Sequence, residues 1–181
     1  MPITPIGNVG VGPKGVQGDA SAKGQFEAFL KLDGIEGESP REGHTNEIML
    51  ETFSWGGSNA GSFASGPGGG AGTAQFNDFV ATALADKSTP KLFQAMATGQ
   101  HIAKAVLTVR KAGGSALEFM KWTMSDVLVS GFNAGANGVL PTVEFHLNFA
   151  ELVMEHQPQD NKGGSAGTIK AGFNLQTGKK T

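Results

Sequence analysis

Cysteine and tyrosine are both missing from the 181-residue chain. Without cysteine there can be no disulfide, no thiolate zinc site and no cysteine nucleophile. Charge is scarce too, at 17% of residues against about 25% in typical domains. No apolar run approaches the roughly 18 residues that a membrane helix needs. The start, MPITPIGNVGVGPKG, has neither a basic n-region nor an apolar h-region, so it is not read as a Sec signal peptide. The expectation is a protein made soluble in the cytoplasm, which leaves the cell, if at all, by another route. Catalytic motifs are missing as well. There is no G-x-S-x-G elbow, no H-E-x-x-H and no G-x-x-x-x-G-K-[ST]. No enzyme activity, cofactor or metal is therefore expected.

What the chain has in quantity is glycine, 28 residues, and phenylalanine, 12 residues. High glycine with low charge points to a β-rich chain with long turns rather than a helical bundle. The length suits one ordinary domain. Residues 1–25 are crowded with glycine and proline and show no period of 2 or 3.6, so they read as a flexible arm. The remainder, 26–181, is read as one domain. Formal charge is uneven. Residues 26–159 hold 14 acids and 8 bases, whereas residues 160–181 are net +3 and end in a basic Lys179-Lys180 tail. An acidic middle excludes a nucleic-acid platform, which needs clustered Lys and Arg.

Alternation marks the strands. Phe26–Leu32 (FEAFLKL) is the first and Glu47–Trp55 (EIMLETFSW) the second. In the second, simple parity puts Ile48, Leu50, Thr52 and Ser54 on one face and Met49, Glu51, Phe53 and Trp55 on the other. Both faces then carry apolar residues. A Gly/Ser loop, 56–72, follows, of a length that is usually either functional or disordered. Strands are expected over Thr73–Leu84, Ala105–Lys111, Leu117–Phe132, Thr142–His156 and Thr168–Leu175. The two longest change parity partway, which predicts a bulge near Ser125-Asp126 and a bulge or bend near Ala150. Long bent strands argue for a curled sheet or barrel. One helix is expected over Pro90–Thr98, capped by Thr89, closed by Gly99, with Leu92, Phe93 and Met96 as its apolar stripe.

The chemical candidates are few. Gly66-Pro67-Gly68-Gly69-Gly70-Ala71 matches G-x-G-x-x-A, with Asp86 downstream, but an alternating segment follows where a dinucleotide site needs a helix. His44 with Glu42 and Glu47 makes a weak metal site conceivable; ordinary loop contacts explain the same residues. His146 points opposite Phe145 and Leu147, toward an outer face.

Three stretches carry a wider pattern: GESPREGHTNEIMLETFSWG (37–56), DKSTPKLFQAMATGQHIAKAVLTVRKAG (86–113) and VEFHLNFAELVMEHQPQ (143–159). Together they resemble the Hcp family, the tube protein of bacterial type VI secretion systems. The resemblance spans roughly residues 26–176. It implies a mainly β fold: a small β-barrel of two packed sheets with one flanking α-helix, like phage tail tubes. It implies homohexameric rings that stack into a tube inside a contractile sheath, under a VgrG-type spike. Sheath contraction would eject the tube, so the protein would be secreted without a signal peptide while carrying effector proteins in its lumen. The loop 56–72 would correspond to the family's extended loop, making Gly57, Ser58, Asn59, Ala60, Gly61, Ser62 and Phe63 candidate ring-stacking residues. Bulky Phe53 and Trp55 should face the barrel core. Thr52 and Ser54 then become candidate lumen residues that touch cargo. A monomeric barrel that binds a small ligand in its interior, and a hydrolase with an irregular site, remain the competing readings.

Overall fold

The structure, a computed structural model, describes residues 26–59, 73–112, 117–136, 138, 140–158 and 167–181. The expected arm at 1–25 lies outside these residues. Ten strands and one helix run in the order β1 (Phe26–Leu32), β2 (Ile48–Ser54), β3 (Gly57–Asn59), β4 (Ala74–Phe76), β5 (Phe79–Leu84), α1 (Thr89–Thr98), β6 (His101–Lys111), β7 (Glu118–Ala136), β8 (Pro141–His156), β9 (Ile169–Asn174) and β10 (Lys179–Lys180). The main sheet has the order β10-β9-β8-β5-β2-β1-β6-β7, and β7 also pairs with β8 along most of its length. That last pairing closes β1, β2, β5, β6, β7 and β8 into a barrel. The mainly β barrel with one helix is the fold that the alternation anticipates, its layers joined edge to edge through β7 and β8.

β8 holds the topology together. Its first half, Thr142–Leu147, pairs with β5, and its second half, Glu151–His156, pairs with β9 on the same edge. The final hairpin β9–β10 thus extends the sheet beyond the barrel. Lys179 and Lys180 belong to that hairpin, opposite Asn174 and Phe173, and are not a free tail.

Alternation fills the interior. Phe79, Ala81 and Ala83 of β5 point inward, as do Val143, Phe145 and Leu147 of β8 and Ala105, Leu107 and Val109 of β6. Phe79, Phe145, Leu107 and Met124 are fully buried. An edge-on aromatic cluster surrounds Trp122, whose ring lies 5.8 Å from Phe53, 6.1 Å from Trp55 and 6.3 Å from Phe79. Such perpendicular contacts add to the value of burial alone.

The parity changes have two different causes. On β2 the ladder to β5 slips between Leu50 and Thr52, a bulge at Glu51. Ile48 and Leu50 face inward before it, and Phe53 and Trp55 face inward after it. Simple parity had divided these four between two faces; the bulge gathers them on one. On β7 the expected bulge near Ser125-Asp126 is instead a bend. Lys104 still pairs with Ser125 and Ile102 with Val127. Likewise Ser125 pairs with Glu151 and Val127 with Phe149. The inward residues nonetheless switch from Ala105 to Ile102, from Met124 to Val127 and from Leu152 to Phe149. A crease therefore crosses three strands in step, at Ala103, Asp126 and Ala150. Asp126 turns it with a left-handed φ of 52°, a conformation that Asp tolerates better than most residues.

The helix starts one residue earlier than expected. Ser88 is the N-cap, and the hydroxyl of Thr89 instead accepts a hydrogen bond from the Asp86 amide at 3.1 Å. Asp86 Oδ1 in turn accepts the Ser88 amide at 2.8 Å. Pro90 occupies the first turn, and Gly99 closes the helix at φ 64° with its amide bonded to the Met96 carbonyl. Leu92 and Ala95 are the fully buried residues. Phe93 is not part of that stripe; it is 53% exposed and touches Phe132 edge-on at 5.9 Å.

Candidate functional site

The surface that merits a functional reading is the outer wall of β2, β5 and β8. It follows from the inward set just described, since each outward residue alternates with a buried one. β2 contributes Thr52 and Ser54, both exposed, and β5 contributes Val80 and Thr82. Glu144, His146 and Asn148 come from β8. The wall is knit by polar contacts. The Thr52 and Thr82 hydroxyls share a hydrogen bond at 2.6 Å across the strand pair. Asp78 accepts from Asn148 Nδ2 at 2.7 Å and from the Ser130 hydroxyl at 2.5 Å. Glu144 Oε1 lies 3.3 Å from His146 Nε2 and 3.4 Å from Asn133 Nδ2. None of these wall residues is Lys or Arg. Such a face offers exchangeable hydrogen bonds and mild negative charge, with no anchor that would hold one ligand tightly.

His146 sits on this wall as its parity predicts, its ring over Gly131. A Cβ at Gly131 would come within 3.0 Å of the His146 ring, so glycine there makes room for the imidazole.

The candidate stacking residues divide. Gly57, Ser58 and Asn59 are not loop: they form β3 and pair with Phe76, Gln75 and Ala74 of β4. Ala60, Gly61, Ser62 and Phe63 lie outside the described residues, as does the G-x-G-x-x-A match at 66–71. The strand expected over Thr73–Leu84 is broken at Asn77-Asp78, which separates β4 from β5. The β3–β4 hairpin was missed because Gly-Ser-Asn has poor strand propensity. Packing selects it instead. Trp55 and Phe76 stack at 5.6 Å and 7°, and a Cβ at Gly57 would lie 2.8 Å from Phe76 Cδ1. The aromatic pair closes only over a glycine.

His44 is a structural residue. It is 5% exposed and lies flat on Phe29 at 4.2 Å and 1°. Its Nδ1 is 2.8 Å from Glu47 Oε2 and its Nε2 is 3.3 Å from Glu118 Oε1. Both ring nitrogens are thus occupied by carboxylates from different parts of the chain. Glu42 offers His44 no side-chain contact and gives its backbone carbonyl to Arg110 at 3.3 Å. Arg110 also lies over the Phe29 ring and pairs with Glu27 at 2.8 Å, a carboxylate shared with Arg41. This group clamps the 33–47 loop to the outside of β1. Among the described residues, no three His, Asp or Glu side chains are placed to hold a metal ion.

The filled interior bears on the ligand-binding alternative. Fully buried Phe79, Phe145, Leu107 and Met124 occupy the space that a lipocalin-like ligand would need. One recess of about 560 Å³ lies on the surface, lined by Lys31, Asp33, Glu36, Asn46 and Lys91.

Comparison with known proteins agrees with this geometry. A family profile described as "Type VI secretion system effector, Hcp" matches residues 29–156. The protein named hcp1 of Pseudomonas aeruginosa (strain PAO1) is 39% identical over 154 residues, covering 83% of this chain and 95% of that relative. A solved structure titled as a type six secretion system protein superposes with a TM-score of 0.82 at 30% identity, covering 86% of this chain and 99% of its own. The crystal structure of Hcp1 from Salmonella typhimurium gives a TM-score of 0.71 at 28% identity, covering 87% of this chain and 99% of its own. With most of β1, the strands from β2 to β8 and the helix inside the matched residues, the chain belongs to the Hcp family of type VI secretion system proteins.

Proposed function

We propose that this protein is the repeating subunit of a type VI inner tube. Copies close into a hexameric ring, and rings stack within a contractile sheath. Contraction drives the stack, tipped by a VgrG-type spike, out of the cell. Effector proteins ride in the channel. The protein is thus made in the cytoplasm and exported with the apparatus.

The observation that carries this reading is the polar outer wall of β2, β5 and β8, backed by a barrel whose interior holds fully buried side chains such as Phe79, Phe145, Leu107 and Met124. Thr52 and Ser54 lie on that wall, exposed, and as channel lining they would meet cargo through short hydroxyls. Hydroxyls bond to many partners and hold none strongly, which suits a conduit that must release what it carries. Residues 60–63, in the connection between β3 and β4, would serve contact between rings.

Sedimentation of the purified protein tests the reading directly, with negative-stain imaging alongside. A species near six times 18.6 kDa, with rings in the images, is expected. A protein that stays monomeric at tens of micromolar overturns it.

A further inference from the structure

The hold on His44 depends on how many protons its ring carries. Both ring nitrogens meet carboxylate oxygens, Nδ1 on Glu47 at 2.8 Å and Nε2 on Glu118 at 3.3 Å. An ionised carboxylate accepts hydrogen bonds and donates none. An imidazole therefore satisfies both only when each nitrogen bears a hydrogen, which is its charged form. The neutral ring has one hydrogen and turns a lone pair toward one of the two. The two carboxylates are not equivalent. Glu47 ends the same loop, is nearer, and has a side chain only 14% exposed. The single hydrogen of a neutral ring thus belongs on Nδ1. Glu118 stands on β7 with its side chain 47% exposed, free to turn to water. The hydrogen on Nε2 is the one through which the ring reaches the barrel wall.

The surrounding charges point the same way. From β1, Glu27 pairs with Arg41 of the loop and with Arg110 of β6, each at 2.8 Å. Arg110 also lies over Phe29, the ring on which His44 stacks. The group thus holds the carboxylates of Glu27, Glu47 and Glu118 against the guanidiniums of Arg41 and Arg110. A protonated His44 balances it, and a neutral His44 leaves one negative charge without a counterpart. The rest of the loop is fastened without histidine. Lys87 Nζ reaches Glu36 and Asn46, both at 3.1 Å, and the Glu38 amide donates to Asp86 Oδ2 at 3.1 Å. Residues 40–45 lie between these ties.

We infer that His44 is a proton-operated latch on the loop between β1 and β2. Doubly protonated, it fastens residues 40–45 over Phe29. Loss of the Nε2 proton breaks the bond to Glu118 and lets that segment lift. The latch is closed at acid pH and opens as the pH rises, within the range of about 5 to 8 over which imidazole side chains change charge. Phe29, fully buried under the ring, is the apolar surface that opening uncovers. The latch belongs to the β1, β6 and β7 side of the barrel and does not depend on the tube reading.

Amide hydrogen exchange of the full chain tests this, at about pH 5.5 and about pH 8, on either side of the imidazole range. Each rate is divided by the intrinsic rate at that pH, and all samples share one protein concentration. In the wild type, protection of residues 41–45 should fall about fivefold from the lower pH to the higher, the upper end for one partly exposed pair. Gly37 and Ser39, whose amides bond to the carbonyls of Asn46 and Glu47, should not change. Glu118→Gln separates the switch from the contact, at a position exposed enough to spare the fold. A glutamine amide accepts from a protonated Nε2 through its oxygen and donates to a bare one through its nitrogen. The segment should then be protected equally at both pH values. A variant equally open at both pH values also supports the latch, because the pH dependence has gone with the charge of Glu118. A wild type whose 41–45 protection ignores pH overturns the proposal, and so does a variant that keeps the wild-type fall.

Discussion

Truncating the two neighbouring apolar residues of α1 should give sharply different results. Leu92 is fully buried in the core cluster, whereas Phe93 is 53% exposed. Leu92→Ala leaves a cavity in a packed interior, and such changes cost about 2–5 kcal/mol. The helix has ten residues, too few to be stable without its docking contacts. A mid-range loss of about 3 kcal/mol corresponds to a melting temperature lower by roughly 6–12 °C for a chain of this size. Phe93→Ala removes one edge-on contact with Phe132 and part of a half-exposed ring. About 0.5–1.5 kcal/mol is expected from a pair of that kind. Urea unfolding should be followed with both variants at one protein concentration, because assembly adds to apparent stability. The midpoint should fall and the slope stay constant if only stability has changed. Equal losses, or a larger loss at Phe93, would refute the reasoning and show that the helix docks by its other face.

Three further outcomes follow from other parts of the molecule. Gly57→Val should destabilise the subunit by at least about 1 kcal/mol, the low end for overpacking, because its Cβ would strike Phe76; weakened stacking of Trp55 should appear in the near-ultraviolet circular dichroism, and an unchanged spectrum and melting would contradict it. Ser54→Gln should fold and assemble like wild type yet retain at least one exported effector less well in co-purification; a variant that cannot fold would show that Ser54 is not on an open wall. Replacing residues 60–72 by a short turn should leave the melting temperature nearly unchanged while abolishing stacks of rings in electron micrographs; stacks that persist would assign stacking elsewhere.

Parts of the fold can be read straight from the sequence. FEAFLKL marks β1 to the residue, although Ala28, Phe29 and Leu30 are all buried because His44 covers Phe29 on the outer face. Pro90 and Gly99 bracket α1 because one lacks an amide and the other adopts positive φ without penalty. The inward placement of Phe53 and Trp55 is also legible, since large aromatics gain most from burial. The bulge at Glu51 is not, because it depends on how β5 pairs with β2. β3 escapes notice for a similar reason: its Gly-Ser-Asn has no strand signature until Trp55 and Phe76 stack around it. The role of Phe93 is equally hidden. Its spacing from Leu92 and Met96 fits an apolar stripe, yet only the position of β7 decides which side of the helix is covered. His44 shows the same limit for a site. Its nearby carboxylates in sequence suggest a metal, but the second carboxylate that meets its ring, Glu118, comes from a distant strand.

The crease at Ala103, Asp126 and Ala150 limits how this barrel can change in length. Three strands reverse their inward parity along one line, so each depends on its neighbours keeping count. One residue inserted into β6 directly before Ala105, without a bulge to absorb it, would send Ala105, Leu107 and Val109 outward while β7 kept its place. The other two strands would need a matching insertion in the same row. Lengthening is therefore easiest in the connections between strands; within a strand it needs a bulge, such as those at Glu51 of β2 and between Val129 and Gly131 of β7. A peptide tag placed between β6 and β7, or between β8 and β9, should be accepted, whereas a single extra alanine in β7 between Trp122 and Met124 should not.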